Sequence, residues 1–352
     1  MSDTEKRTTY TDSDTLTDAS IYKELYDALD RFKSIKPWEI FCEVDVCEIC
    51  LPDCDETYYC SIRGMFEELN GLSVYEGQDG LISLSNFINA TELPDYVAVS
   101  RKNCLDCTWD SREAQKKRDL SAVKLAGKKY RGAGGWPLLR QYETGYEPYF
   151  MNETQMKTFT RVTSELYNAL NELGELGKTE NLTEGERIRR SFDTEKGIWV
   201  NELIPPIDKI EAVTDGCVIT DELLIRRLKK KPLNGSSIEL DMPYIPAPIR
   251  TNSADGRGFY PRLCIFCDVE RASAENQYFV NRTDDPRDVL LSMLVGYIEE
   301  KGRPSAIYVR DPEIFGIIGH LCSKIDVELY FTSMLNMLDF FVNDIIDRFT
   351  DN

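Results

Sequence analysis

Histidine is nearly absent: His320 is the only one in 352 residues. That excludes multi-histidine metal centres and leaves a single imidazole for any Ser-His-Asp or Cys-His arrangement. Its neighbours Ile317, Ile318 and Leu321 set it in an amphipathic helix, which favours a structural role. Long apolar runs are missing too. None approaches the roughly 18 to 20 residues needed to cross a bilayer, so no membrane span is expected. The opening stretch MSDTEKRTTYTDSDTLTDA has no apolar core of the kind that directs export, so a cytoplasmic setting is expected. Positive charge is scarce: 42 Lys and Arg against 61 Asp and Glu leave a net charge of −19. Such a surface repels phosphate backbones and anionic lipid, which makes nucleic acid an unfavourable partner.

What is present describes an ordinary folded chain. Hydrophobic residues make up 42% and charged residues 29%, enough for two or three domains with real cores. The 11 cysteines are odd in number and lack an export signal, which fits reduced thiols better than a disulfide framework.

Residues 1–19 read as a solvated tail. Ile21, Leu25, Leu29, Phe32 and Ile35 then recur at helical spacing behind Asp18 or Ser20 as a cap. Short aromatic or alternating runs follow, EIFCEVDVCEICL, TYYCSIRGMF and LSVYEGQDGL, punctuated as an antiparallel meander is. Asn152 and Gln155 stand in capping-box spacing before a long helix with Met156, Phe159, Val162, Leu166 and Leu170 on one face. The expected division is an α+β domain over 20–180, a connecting segment or subdomain over 181–250, a small α/β domain over 251–335 and a C-terminal helix over 336–352. In the last hundred residues PRLCIFCDVE and QYFVNR read as a hairpin. Asp285-Pro286 and Asp311-Pro312 each start a helix, and SAIYVR and VELYF follow as parallel strands joined by a right-handed crossover.

Two stretches carry a resemblance. YYCSIRGMFEELNGLSVYEGQDGL with YRGAGGWPLLRQYETGYEPYF resembles the N-terminal domain of an uncharacterised bacterial family. PRLCIFCDVE through KGRPSAIYVRDPEIFGIIGHLCSKIDVELYF resembles the domain of unknown function that accompanies it. The resemblance implies two domains and a bacterial cytoplasmic setting, and it carries no activity.

Several groups of residues are candidates for chemistry. Cys47-x-x-Cys50 and Cys104-x-x-Cys107, with Cys54 in reserve, have the spacing of half zinc sites, as has Cys264-x-x-Cys267. Against that, residues three apart on a strand point to opposite faces. Asp268 and Asp311 sit at the ends of predicted strands in a topology similar to that of ribonuclease H-like nucleases. There, clustered carboxylates would hold Mg or Mn for phosphodiester hydrolysis, with Glu270 or Asp339 as a third. The hairpin lacks a strand for that fold, and Asp311 is equally a helix cap. Pro261 to Asn352 also carry nine basic against sixteen acidic residues, an unfavourable balance for nucleic acid.

Gly132, Gly134 and Gly135 lack the pattern of a phosphate loop. Beside them Arg131, Trp136, Arg140, Tyr142 and Tyr146, with Tyr149 and Phe150, form an aromatic and cationic stretch. It either meets a ligand or partner or is pinned to its own core. The basic runs Arg226–Lys231 and Lys116–Lys129 read as solvated faces or as docking sites for an acidic partner, including a second copy. The expectation is a binding or protein-interaction protein without a cofactor. The alternatives are a ribonuclease H-like phosphodiesterase or its inactive descendant, and a zinc-stabilised binding protein.

Overall fold

Asp18 accepts the backbone N–H of Ser20 at 2.8 Å, and α1 (Ala19–Ser34) starts from that cap. The computed structural model describes residues 18–66, 69–88, 93–175, 186–206, 216–250 and 257–350. Most of the expected tail, and residues 176–185 of the expected boundary, lie outside them.

The N-terminal region is built on β1 (Cys47–Cys50), β2 (Thr57–Arg63), β3 (Gly71–Glu76), α2 (Gly77–Ile88), α3 (Asp95–Arg101), β4 (Cys104–Asp110), α4 (Lys117–Leu125), β5 (Trp136–Tyr142), α5 (Glu153–Glu175), β6 (Arg187–Asp193) and β7 (Ile198–Ile204). The seven strands run in the order β5-β4-β3-β2-β1-β6-β7. Every pairing is antiparallel except β1 with β6, which is parallel. A parallel neighbour needs a long crossover, and α5 supplies it. Asn152 and Gln155 start that helix by exchanging backbone-to-side-chain hydrogen bonds of 2.9 Å each. Leu25, Leu29 and Phe32 of α1, Phe159, Val162 and Leu166 of α5, and Ala122 and Val123 of α4 share one core with the sheet. Leu84 of α2 covers the opposite face with Val46, Tyr75 and Cys104.

The C-terminal region comprises α6 (Glu222–Lys229), β8 (Ser237–Asp241), β9 (Arg262–Asp268), β10 (Ser273–Val280), α7 (Pro286–Lys301), β11 (Ala306–Val309), α8 (Pro312–Lys324), β12 (Glu328–Phe331) and α9 (Asn336–Thr350). Its sheet order is β10-β9-β8-β11-β12. The first three strands form an antiparallel meander, and β8, β11 and β12 are parallel. Helices follow the third and fourth strands and another follows the fifth, an order similar to that of ribonuclease H-like folds. The strand that the hairpin lacks is β8, inside the expected connecting segment. That segment divides: residues 187–204 complete the first sheet and 222–241 belong to the second. Leu290, Leu294, Ile314 and Ile318 of α7 and α8 cover one face of the second sheet. Leu335, Leu338 and Val342 cover the other, where Tyr96 and Val97 of α3 join them.

An N-terminal helix thus forms part of the C-terminal core. The loop after β5 closes the same seam. The N–H of Tyr260 donates to Gly145 at 2.8 Å, that of Glu147 to Gly258 at 3.0 Å, and Arg250 pairs with Glu147 at 2.7 Å. Gly145 has φ +80°, and a Cβ there would lie 2.7 Å from the ring of Tyr244, so both the turn and the close approach require glycine.

Candidate functional site

A cluster of buried charge lies at the carboxyl ends of β8 and β11, the end of a parallel sheet where ligands usually meet side chains. Strand alternation builds it. Ile238 and Leu240 face α7 and α8, so Glu239 and Asp241 face α9. Ile307 and Val309 likewise face α8, which turns Arg310 toward α9. Arg310 Nε donates to Asp241 Oδ2 at 2.7 Å, and its Nη1 reaches Asp339 Oδ2 of α9 at 3.2 Å, with a second, shorter bond from Nη2 to Asp339 Oδ1. Tyr96 donates its hydroxyl to Asp339 at 2.6 Å and accepts from Arg310 at 3.1 Å. Arg101, also from α3, donates to Asp311 at 2.9 Å and lies 3.9 Å from Asp241.

Three carboxylates and two guanidiniums therefore interlock. Asp241 is fully buried and Arg310 is 5% exposed, so neither charge is tolerable without the other. Burial works against the charged Arg310, yet Asp241, Asp339 and Tyr96 outweigh it and hold the guanidinium more firmly protonated than usual. Arg101 is shifted the same way, with burial opposed by Asp311 and Asp241. Glu239 differs: it accepts the N–H of Leu338 at 2.7 Å, but burial raises its carboxyl above the ordinary value.

Asp268 does not belong to this cluster. It pairs in register with Ile238, whereas Tyr308 pairs with Glu239 and Asp311 lies three residues further on. At about 3.3 Å per residue the two carboxylates are roughly 13 Å apart along the strands. The Asp268 and Asp311 pairing is thereby corrected. Asp268 accepts the N–H of Arg271 at 2.8 Å, and Glu270 accepts that of Ser237 at 2.6 Å, so both serve the turn at the far end of the sheet. Asp311 caps α8 through the N–H of Glu313 at 2.8 Å while also facing Arg101. Of the acids considered, Asp311 and Asp339 come together. Asp241, Arg310, Arg101 and Tyr96 were missed. The available signal was the run SIELD, which places two carboxylates on one face of a strand whose other face is apolar.

Two Mg or Mn ions would need open carboxylate oxygens in this centre. The carboxylate oxygens that point into the centre already accept hydrogen bonds from guanidinium, tyrosine or backbone groups, so the residues in this arrangement do not fit a two-cation site. Among the described residues, no group of three or more His, Cys, Asp or Glu is arranged to hold a metal ion. Nor do the zinc candidates converge. Cys47 on β1 and Cys107 and Cys104 on β4 are separated by β2 and β3, about 14 Å at the usual strand spacing. Cys104 packs under α2 while Cys107 packs under α1 and α5. Cys264 and Cys267 also enter opposite cores. Cys50 lies 3.8 Å from Thr57, and Cys54 lies 3.3 Å from the Tyr58 hydroxyl.

The aromatic stretch is tied to its own molecule at most positions. Arg140 is buried and makes two hydrogen bonds of 2.8 Å to Asp119. Tyr142 lies beneath Lys102, 4.2 Å from ring centre to ammonium. Tyr146 bridges to Phe259 and carries Arg257 over its ring at 4.6 Å, so it serves the seam. Trp136 packs edge-on against Tyr130, and Arg131 is exposed. His320 accepts the N–H of Ile219 at 3.2 Å, anchoring that stretch to α8. In the basic run of α6, Arg227 pairs with Glu299 and Lys229 with Asp326.

No helix among the described residues is long and apolar enough to cross a membrane. No curated protein and no solved structure matches the chain. Residues 22–190 match the model of a domain of unknown function, DUF7309, and residues 224–346 match that of a second, DUF6930. Together the two matches span most of the chain, which fits an uncharacterised two-domain family.

Proposed function

We propose that this protein acts by binding rather than by catalysis, as a cytoplasmic bacterial protein whose C-terminal module is an inactive relative of the ribonuclease H-like nucleases. The observation that carries this reading is Arg310 between Asp241 and Asp339. A cation-dependent hydrolase needs those carboxylates open to metal, and here a guanidinium satisfies them. Arg101 and Tyr96 add a second closure from the other module. The acidic composition supports a protein partner or self-association over nucleic acid. The free thiols support a reducing compartment.

Cleavage assays with the full chain test it. Labelled single-stranded RNA, duplex DNA and an RNA–DNA hybrid are incubated with Mg²⁺ or Mn²⁺, and the substrates are expected to remain intact. Cleavage by the wild-type chain that disappears in Asp241→Asn would sink the proposal. It would instead establish the second reading, a divalent-metal phosphodiesterase in which Arg310 swings aside. That reading draws on one observation, the meeting of Asp241, Asp311 and Asp339 at the carboxyl ends of central parallel strands.

A further inference from the structure

Among the described residues the first sheet ends in an open edge. The strand β7 is outermost, and among the described residues no other strand pairs with its free side. Natural edge strands are kept from pairing by shortness, lysine, proline or a bulge. The seven residues of IWVNELI contain neither lysine nor proline, and their pairing with β6 shows no register shift. The other edges are protected. Tyr149 bridges to Gln141 on β5, β10 has an irregularity between Ala274 and Asn276, and β12 spans only four residues.

The order of residues in β7 is self-complementary. Turned about a two-fold axis through Asn201, the strand meets a second copy with Ile198 beside Ile204 of the partner subunit and Trp199 beside Leu203 of the partner subunit. Val200 then lies beside Glu202 of the partner subunit. Apolar residues meet apolar residues at both ends, and no like charges oppose one another. Ile198 is 51% exposed and Leu203 46% exposed, so two large aliphatic side chains on this edge remain in water in the single chain. Antiparallel pairing about a two-fold is also the commonest closed symmetry, since one patch serves both partners.

We infer that β7 is a dimerisation edge, and that two copies join through it into one continuous sheet centred on Asn201. The inference is independent of the acidic centre and holds whether or not that centre is catalytic. The register makes a charge-specific prediction. A glutamate at position 200 faces Glu202 of the partner subunit twice per dimer, whereas a lysine there faces the same carboxylate with opposite sign.

Sedimentation equilibrium of the full chain, Val200→Glu and Val200→Lys tests it, with circular dichroism to establish that each is folded. The wild type is expected to be a dimer, Val200→Glu to dissociate about tenfold more readily, and Val200→Lys to remain dimeric. A wild-type chain that stays monomeric at high concentration overturns the inference. So does a dimer indifferent to Val200→Glu, or one that both substitutions disrupt equally.

Discussion

Arg310 and Asp241 face each other across the two parallel strands at the centre of the second sheet, 2.7 Å from Nε to Oδ2, in a site closed to water. Removing one partner strands a buried charge. Arg310→Met is therefore expected to destabilise the chain by about 3 to 5 kcal/mol, and Arg310→Met with Asp241→Leu to cost distinctly less than Arg310→Met alone. Denaturant unfolding of the two single variants and the double variant measures this, and simple additivity would contradict the coupling.

Tyr96 links the modules through one hydroxyl, which donates to Asp339 and accepts from Arg310. Tyr96→Phe keeps the ring in its apolar core and deletes only those bonds. A loss of about 1 to 3 kcal/mol is expected. Hydrogen exchange should quicken at α9 as well as at α3, and a change confined to α3 would show that the hydroxyl does not connect them.

Acid sensitivity should arise in the first sheet. Asp106 is buried, which alone would raise its pKa, but Lys102, Arg63 and the Ser73 hydroxyl prevail and hold it at about 2. A carboxyl depressed on folding contributes stability above its unfolded value, near 4, and loses it as the pH falls toward 2. That contribution is about 2 kcal/mol. Asp106→Asn should lower stability at neutral pH and flatten its dependence between pH 4 and 2, as followed by chemical unfolding at each pH.

Thiol reactivity should divide the cysteines by burial. Cys42, Cys50, Cys54 and Cys217 are partly exposed, and the other seven are buried. Burial pushes Cys47, Cys104, Cys264, Cys267 and Cys322 up to about 12, so their reactive thiolate is scarce at neutral pH. Native labelling with a small alkylating reagent should reach about four sites, and denaturation should release the rest. Peptide mass spectrometry identifies which sites react.

Gly145 offers a direct probe of the seam. Alanine at φ +80° is strained and would press on Tyr244, so Gly145→Ala should lower the melting temperature more than Gly197→Ala. Gly197 also has positive φ, but nothing lies within 4 Å of a Cβ there. Equal effects would mean that the contact with Tyr244 carries no weight.

Periodicity made the helices and the β-α-β unit legible because their apolar faces are formed by residues close in sequence. Asp285-Pro286 and Asp311-Pro312 marked helix starts for a local reason as well, since both caps act within three residues. The strand β8 was obscured because Glu239 and Asp241 look solvated in SIELD, and their burial depends on Leu338, 99 residues from Glu239, and Arg310, 69 residues from Asp241. The arginine-filled centre was illegible for the same reason: Arg101 and Tyr96 belong to another module, and no spacing rule connects them with Asp311 and Asp339. The aromatic stretch was visible as a surface for contact, but its contact with residues 257–260 arises only in the folded chain.

The parallel pairing of β1 with β6 bears on how this polypeptide emerges from the ribosome. The strand that lies beside β1 is made only after α5, and its hairpin mate ends at Ile204. Until then Glu48, destined for Arg187 and Arg189, has neither counter-ion. Cutting at residue 190, where the family match stops, would sever β6 partway through. A free-standing N-terminal piece must therefore reach past Ile204, and nascent chains shorter than that would keep an open seam beside β1 for chaperones to shield.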